Sequence, residues 1–256
     1  MMSGNPERQA DAGPLAASSP HVPRHIAFIM DGNGRWASSR GLTRTEGHRQ
    51  GLEALRRIIR HCGTRGIEIA TIYSFSTENW SRPEPEVKFL MSLLRRFVQR
   101  DLSELHRENI RIRIIGERQS LEPGILKLLQ DAEDLTRENT GMDLVVAFNY
   151  GSRQEITGAV RKLCEKLAAG DLQASEICED AISAELDTAG LPDPDLIVRT
   201  SGELRLSNFL LWQAAYSEFY FTELMWPDFD EAALDKALES FGSRDRRYGG
   251  VTAQAL

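Results

Sequence analysis

Residues 25–48 read His-Ile-Ala-Phe-Ile-Met-Asp-Gly-Asn-Gly-Arg-Trp-Ala-Ser-Ser-Arg-Gly-Leu-Thr-Arg-Thr-Glu-Gly-His. The apolar, partly β-branched run 26–30 has the composition of a buried strand, and it stops at a single carboxylate, Asp31. Gly32 and Gly34, on either side of Asn33, allow positive φ and leave backbone N–H groups unshielded by a Cβ. Arg35, Arg44 and His48 follow on the chain that enters the next helix. A strand that delivers an acid into a glycine-rich turn followed by cations is suited to phosphate, with the acid placed for a metal ion. Asp-Gly-Asn-Gly is also ordinary turn chemistry, so the rival loops have to be tested. A calcium loop fails, because Arg35 falls at the fifth position and Trp36 takes the place of the glycine at the sixth. A Walker A loop fails because no Gly-Lys-Ser/Thr follows.

Working outward, a chain of 256 residues is long enough for one large α/β domain or two small ones with a substantial core. Residues 1–22 are rich in Ala, Ser, Pro and Gly and lack the basic start and apolar run of a signal peptide. They read as a disordered tail before a single domain spanning 23–256. A net charge of −7 weighs against nucleic-acid binding, and the arginines at 56–57 and 244–247 are either local anion sites or solvated helix surface. Cys62, Cys164 and Cys178 form no CxxC pair and no His/Cys metal array, which points to a reducing, cytoplasmic setting. No apolar run approaches the length of a membrane span.

The periodicity predicts a helix over 46–61, with Arg44 and His48 at its start, where anions are favoured. A second strand, 67–75, ends like the first in polar groups: Ser76, Thr77, Glu78, Asn79, Trp80, Ser81 and Arg82. Polar residues gathered at the C-terminal ends of two strands are what an open parallel sheet offers a ligand. Trp80 is either a core aromatic, the common role of a lone Trp, or a substrate wall. Pro83 and Pro85 restrict the entry to a long helix, 86–107, whose apolar positions cover more than a surface helix needs. That helix is either deeply buried or one wall of a pocket for a long apolar ligand. Strands at 110–115, 142–150, 195–200 and 218–224 then alternate with helices at 121–139, 153–168 and 231–241. The fold class predicted is α/β: a central, mostly parallel six-stranded sheet flanked by helices.

Residues 199–203, Arg-Thr-Ser-Gly-Glu, close the fifth strand with a guanidinium, two hydroxyls and a glycine, and Arg205 and Ser207 follow. The planar donor fork of arginine suits phosphate oxygens, so this is a second anionic site. Glu218 opens the last strand and is either a surface residue or a second hard oxygen ligand for Mg²⁺.

Met30-Asp-Gly-Asn-Gly-Arg-Trp-Ala, Arg40-Gly with Gly47-His48, Ser74-Phe-Ser-Thr-Glu-Asn-Trp-Ser-Arg-Pro, Arg199-Thr-Ser-Gly-Glu and Trp212-Gln-Ala-Ala-Tyr-Ser-Glu together resemble the signature of the cis-prenyltransferases. Within that group the resemblance is strongest to the bacterial undecaprenyl diphosphate synthases. It runs in order from residue 22 to about 250, while the Asp-Asp-x-x-Asp metal motif of trans-prenyltransferases is absent. The resemblance implies sequential condensation of isopentenyl diphosphate onto an allylic diphosphate, usually farnesyl diphosphate, with diphosphate released at each cycle. The default product is undecaprenyl diphosphate, a carrier-lipid precursor for cell-wall synthesis. By the resemblance, Asp31 holds Mg²⁺, and Gly32, Asn33, Gly34, Arg35, Arg44 and His48 hold the allylic diphosphate. Trp36, Phe75 and the long helix border the growing chain, with Ser76, Thr77, Glu78, Asn79, Trp80 and Arg82 beside the substrates. Arg199, Arg205, Leu206 and Ser207 hold isopentenyl diphosphate, and Glu218 is a further metal ligand.

The ending Arg246-Arg247-Tyr248-Gly249-Gly250 resembles the family's C-terminal Arg-x-Gly, which reaches a partner's isopentenyl site, and so implies a homodimer. An apolar substrate tunnel and a peripheral membrane contact at product release belong to the same expectations. Gly151-Ser152-Arg153 departs from the family's usual second glycine, a change conservative in size.

Catalysis of this kind consists largely of stabilising charge on departing diphosphate, the task of Mg²⁺ and arginines. The family account places Asn79 near the proton loss that follows attack by the isopentenyl double bond. An amide has no useful basicity near neutral pH, so the leaving diphosphate or Asp31 is the better acceptor. Two rivals stand beside this reading. A non-catalytic partner subunit would keep the fold and lose the site, yet Asp31, Asn79, Arg199 and Arg205 are all present. A nucleotide- or sugar-phosphate-binding protein needs no wide apolar helix, and no ribose-binding acid follows a G-x-G-x-x-G here.

Overall fold

The computed structural model describes residues 22–244. Six strands, β1 (His25–Ile29), β2 (Ile69–Ser76), β3 (Arg111–Ile115), β4 (Asp143–Tyr150), β5 (Leu196–Arg199) and β6 (Glu218–Phe221), form one sheet in the order β3-β4-β2-β1-β5-β6. Every pairing is parallel, including that of β6 with β5, so the sheet is wholly parallel. The helices are α1 (Asn33–Ser38), α2 (Arg44–Thr64), α3 (Glu84–Arg107), α4 (Pro123–Thr136), α5 (Ser152–Ala169), α6 (Glu179–Ser183) and α7 (Glu231–Gly242). The six residues of α1 and five of α6 are too short to show a 3.6-residue period, and the sequence pattern does not reveal them.

Strand alternation supplies two cores. Ile26, Phe28, Leu144 and Val146 face the side covered by α2, α3, α4 and α7. Ala27, Ile29, Val145 and Ala147 face the other side, where Phe209, Leu210 and Ala214 cover them. The chain order reverses at β1, which pairs β2 on one side and β5 on the other. An open parallel sheet offers its ligand crevice at such a switch point, beyond the C-terminal strand ends. Those ends are the residues following Ile29 and Arg199.

The two helices that flank this crevice start where local chemistry permits. Thr43 caps α2, its hydroxyl accepting from the Glu46 N–H at 3.3 Å. Pro83 precedes α3, with Pro85 and two acids, Glu84 and Glu86, in its first turn. Of the 24 residues of α3, only Met91, Val98, Asp101 and Leu105 are buried. The helix is therefore a half-exposed wall, and the deeply buried alternative does not hold. Its C-terminal half is tied to α2 by Arg56, which donates to the buried Asp101 carboxylate at 2.6 Å.

The sheet edges are finished differently. Along β3, the Ile112 N–H donates to Thr136 Oγ1 (3.0 Å), the Ile114 N–H to Glu133 Oε1 (2.9 Å) and the Gly116 N–H to Asp187 Oδ2 (2.9 Å). Beside β6 lie exposed apolar residues, Leu204, Tyr216, Phe221 and Leu224. At the N-terminal end of β1, His25 is 2% exposed, with Nδ1 2.7 Å from the Pro192 carbonyl and Nε2 2.7 Å from Thr71 Oγ1. Burial pushes its pKa down to about 4, so the ring is neutral at pH 7. Among the described residues, no helix is long and apolar enough to cross a membrane. Val22, assigned to the tail by composition, already packs against the core. The rest of that tail, and Arg246-Arg247-Tyr248-Gly249-Gly250, lie outside the described residues.

Candidate active site

A cavity of about 550 Å³ has a polar mouth at the C-terminal ends of β1, β2 and β5 and an apolar body between the sheet and α3. Ile72, Ile112 and Val146 line it from the sheet, Leu90, Leu94 and Phe97 from α3, and Leu129 and Ala132 from α4. The lone apolar face that widened α3 in sequence is thus explained: one part packs on the core and one borders the cavity.

Asp31 stands at the mouth, two residues beyond the end of β1. Its Oδ2 accepts from Arg199 at 2.9 Å, and its Oδ1 accepts from the Gly32 N–H at 2.7 Å and lies 3.2 Å from Arg35. Burial alone raises the carboxyl pKa, but Arg199, the Gly32 N–H and Arg35 outweigh it and hold the group below its ordinary value. The carboxylate is therefore ionised at neutral pH. The backbone around it is fixed from both sides, with the Asp31 N–H donating to Thr200 Oγ1 (3.0 Å) and the Asp31 carbonyl accepting from that hydroxyl (2.7 Å) and from the Trp226 N–H (3.0 Å).

Gly32 has φ +101°, and a Cβ there would come within 2.9 Å of Ser201 Oγ. Only glycine fits this turn without strain. In α2, Gly47 and Gly51 are a turn apart, and side chains at either would collide with Asn33, whose carbonyl and side chain press against them at 2.0 and 2.2 Å from the Cβ positions. These glycines let α1 seat its N-terminus directly on α2, which sets Gly34 and Arg35 beside Arg44 and His48 at the mouth.

Arg199, 3% exposed, ends β5 and joins the two anionic stretches. Besides Asp31 it donates to Ser207 Oγ at 2.8 Å and to the Arg205 carbonyl. Its Nε is buried without a partner, as are Asn33 Oδ1, Thr77 Oγ1 and Ser201 Oγ around the same crevice. A buried guanidinium N–H with no acceptor is a donor left for a ligand. Backbone strain gathers here too, with Ser201, Ser207, Asn208 and Leu210 all at positive φ. Asn208 is held in that state because its carbonyl accepts from the Ser152 N–H (2.8 Å) and its Oδ1 from the Arg153 N–H (2.9 Å), so it caps α5 from another part of the chain.

Of the residues singled out by sequence, Asp31, Gly32, Asn33, Gly34, Arg35, Arg44, His48, Phe75, Ser76, Asn79, Arg82, Arg199 and Ser207 all border the cavity. The others stand back from its wall. Trp36 donates from Nε1 to Asp228 Oδ1 at 2.7 Å and carries the Arg40 guanidinium on its ring. Trp80 is 45% exposed, donates to Asn149 Oδ1 at 2.7 Å and meets Phe75 edge-on, so it buttresses a cavity residue from outside. Thr77 is turned to Gly151, Glu78 accepts from Asn208 Nδ2 at 2.9 Å, and Leu206 packs with the second core. Arg205 is paired with Glu203. Asn79 Oδ1 accepts from the Ser76 N–H at 3.2 Å, which holds its amide in the turn after β2.

Glu218 lies elsewhere. The register sets it level with Leu196 on β5 and so with Ile26 on β1, at the opposite end of the sheet, where it pairs with Arg244 at 2.5 Å. Asp31 is five residues further along the chain than Ile26, past the end of β1, roughly 16 Å at strand rise. Within one chain the two carboxylates do not share an ion.

Sequence reading missed Glu86, whose carboxylate meets Arg82, Arg44 and His48 at the mouth, and Trp226, which lies in the cavity wall with its Nε1 donating to the Gly51 carbonyl at 2.8 Å. The i,i+4 spacing of Arg82 and Glu86 was the one local signal for the first. No group of three or more His, Cys, Asp or Glu suited to a metal exists among the described residues. Mg²⁺ does not need one, because it is commonly held by one or two carboxylates with substrate phosphates and water completing the shell. The ionised Asp31 carboxylate, partly open to the cavity, fits that mode.

A parallel α/β domain with an acid and arginines at its switch point, above a long apolar cavity, defines a protein for ligands with an anionic head and an apolar tail. The family described as "Putative undecaprenyl diphosphate synthase" matches residues 29–249. The isoprenyl transferase of Brucella abortus biovar 1 (strain 9-941) is 61% identical over 233 residues, which cover 91% of this chain and 92% of that protein. That of Neisseria gonorrhoeae (strain ATCC 700825 / FA 1090) is 49% identical over 233 residues, covering 91% and 92%. Lavandulyl diphosphate synthase from Lavandula x intermedia, solved in complex with dimethylallyl diphosphate, superposes with a TM-score of 0.88 at 39% identity over 90% of this chain and all of that one. A probable undecaprenyl diphosphate synthase from Campylobacter jejuni gives 0.75 at 31%, covering 89% and 98%. The chain belongs to the cis-prenyltransferase family of undecaprenyl diphosphate synthases. It is an isoprenyl transferase, an enzyme that condenses isopentenyl diphosphate onto an allylic diphosphate.

Proposed function

We propose that this enzyme elongates farnesyl diphosphate in successive condensations to a long-chain polyprenyl diphosphate such as undecaprenyl diphosphate, for the carrier lipid of cell-wall synthesis. The observation that carries this reading is the continuity of the Asp31–Arg199 mouth with an apolar cavity of about 550 Å³. In it Gly32, Gly34, Arg35, Arg44 and His48 bind the allylic diphosphate, and Arg199 and Ser207 bind isopentenyl diphosphate. Arg205 contributes its carbonyl to Arg199 while its own guanidinium, paired with Glu203 on the surface, is free to turn inward.

Asp31 holds Mg²⁺, which when bound supplies Lewis-acid stabilisation of the leaving diphosphate. Arg35 and Arg44 add positive charge at the leaving diphosphate, and a neutral mouth would give none of this stabilisation. The isopentenyl double bond attacks the allylic carbon as its C–O bond to diphosphate breaks, and a proton is then lost. Asp31 is a poor acceptor for that proton, since Arg199 and Arg35 favour its ionised form. Asn79 is neutral and engaged with the Ser76 N–H, so it orients the turn. The departing diphosphate is left as the base.

The reading takes residues 23–256 as one catalytic domain in the cytoplasm and the active form as a homodimer. Support for the homodimer comes from the exposed Leu204, Tyr216, Phe221 and Leu224 beside the β6 edge. Incubation with labelled isopentenyl diphosphate, farnesyl diphosphate and Mg²⁺, followed by sizing of the products, tests it. A Mg²⁺-dependent ladder, lost in Asp31→Ala, is expected. A folded protein that binds farnesyl diphosphate and extends nothing would reject it.

A further inference from the structure

Glu86 is the group in the mouth that the reaction does not account for. It sits in the first turn of α3 with its side chain 13% exposed, and its carboxylate lies 3.0 Å from Arg82, 3.3 Å from Arg44 and 3.6 Å from His48. A first-turn acid is ordinarily explained by the helix dipole. Glu84 serves that role here, since it is exposed and pairs with Lys88 along the surface. Glu86 points the other way, into a pocket whose remaining cations are arranged for an anion. A carboxylate in that position opposes anion binding unless it has a task of its own.

We propose that Glu86 is the resident counter-anion of the allylic diphosphate site. It neutralises Arg82 and Arg44 in the empty mouth, yields Arg44 and His48 to an incoming diphosphate, and thereby limits how tightly that diphosphate is held. The inference rests on the reading of this mouth as the diphosphate site and adds to it a determinant of affinity.

The three contacts are unequal, and the inequality shows which exchange. Arg82 makes a direct hydrogen bond to Glu86 Oε1 one turn away, and this pair remains when ligand enters. Arg44 meets Oε2 at 3.3 Å from an otherwise exposed side chain, and His48 lies beyond hydrogen-bond distance. Both are loosely held and can turn to a diphosphate, whose oxygens offer more charge and better geometry than one carboxylate. With the pocket empty, the same contacts compensate the Arg82 and Arg44 guanidiniums, while burial and the neighbouring Arg82 hold His48 below its usual pKa, so that it meets Glu86 or a diphosphate as a neutral ring. The chemistry of elongation explains the use of such a group. Every condensation leaves free diphosphate at the cations that held the substrate, and the site must be cleared before the next allylic end is seated. A fixed negative charge beside the bound diphosphate shortens its stay.

The test is titration calorimetry of inorganic pyrophosphate into the enzyme, without metal, for wild type, Glu86→Gln and Glu86→Ala. Removal of the charge is expected to tighten pyrophosphate binding about tenfold in both variants. It should also lower KM for the allylic diphosphate and leave KM for isopentenyl diphosphate unchanged, because Arg199 and Ser207 do not touch Glu86. A purely structural role moves these quantities the other way. Weaker or unchanged pyrophosphate binding in Glu86→Gln, at an unchanged unfolding midpoint, would overturn the inference and make Glu86 a positioning group for Arg44 and Arg82. Absence of pyrophosphate binding in wild type and variants alike would instead remove the diphosphate assignment of the mouth, and the inference with it.

Discussion

The two ends of the parallel sheet are built to opposite rules. At the N-terminal end, His25 bonds through both ring nitrogens, and the Arg24 and His25 N–H groups both donate to Asp195 Oδ2. Asp143, at the start of β4, is held by Arg111 and Arg113. At the C-terminal end, Arg199 Nε, Ser201 Oγ and Thr77 Oγ1 are buried without partners, and four non-glycine residues between 201 and 210 adopt positive φ. Satisfied polar groups make one end a source of stability. At the other end the unpartnered group that belongs to the cavity wall, Arg199, is a place where a ligand completes the structure.

Substitutions at the two ends should therefore separate activity from stability. The largest effect belongs to Asp31→Ala, which should lower kcat/KM by about 10³ through lost stabilisation of the leaving diphosphate. Its urea midpoint should fall as well, because the buried Arg199 guanidinium loses its counter-charge. Asp31→Asn, which keeps the shape of the side chain, should lose the activity at a smaller cost in midpoint; equal losses of stability in the two variants would erase the contrast between the ends. Next comes acid. His25 is depressed from 6.5 to about 4 by burial, so the folded state favours the neutral ring. The resulting stability is fully present above pH 6.5 and is lost as pH falls toward 4, by about 3 kcal/mol in all. Urea titrations across that window should show the loss in wild type and not in His25→Gln.

A smaller effect is expected where strain and space coincide. Gly32→Ala forces a side chain into a φ of +101° and against Ser201 Oγ, at a cost of about 2 kcal/mol read from thermal or urea unfolding. Activity should fall as well, because the turn carries Asp31. The mildest is Trp80→Phe, which deletes the Nε1 bond to Asn149 and should cost about 1 kcal/mol. Product length should be unchanged, since Trp80 stands outside the cavity wall; a shift in product size would move it into the wall.

How much of this was legible differs from residue to residue. The strands were, because each is a short apolar run whose neighbours in the sheet repeat the same two-residue period. The cluster at the mouth was too, because Asp31 follows one predicted strand, Arg199 closes another, and Asn79 lies in the polar stretch after a third. Glu218 shows where local reading stopped short. It opens a strand, and in a wholly parallel sheet the opening of any strand faces away from the crevice, so the topology already separates it from Asp31 within a chain. Glu86 was hidden for the opposite reason. Nothing in the first turn of α3 announces that one acid turns outward and the other toward Arg44 and His48 of a different helix. For α3 the sequence leaves both burial and a pocket wall open, since the apolar positions that widen its face border a cavity as well as a core.

The side-chain caps along β3 limit how copies of this protein can associate. With the Ile112, Ile114 and Gly116 N–H groups already bonded, a foreign strand finds no donors there to continue the sheet. Propagation of a fibre by strand addition needs two open edges on every subunit, one to receive and one to offer. A subunit with one sealed edge terminates any such chain at its second member, so edge-to-edge growth is closed off after a single pairing.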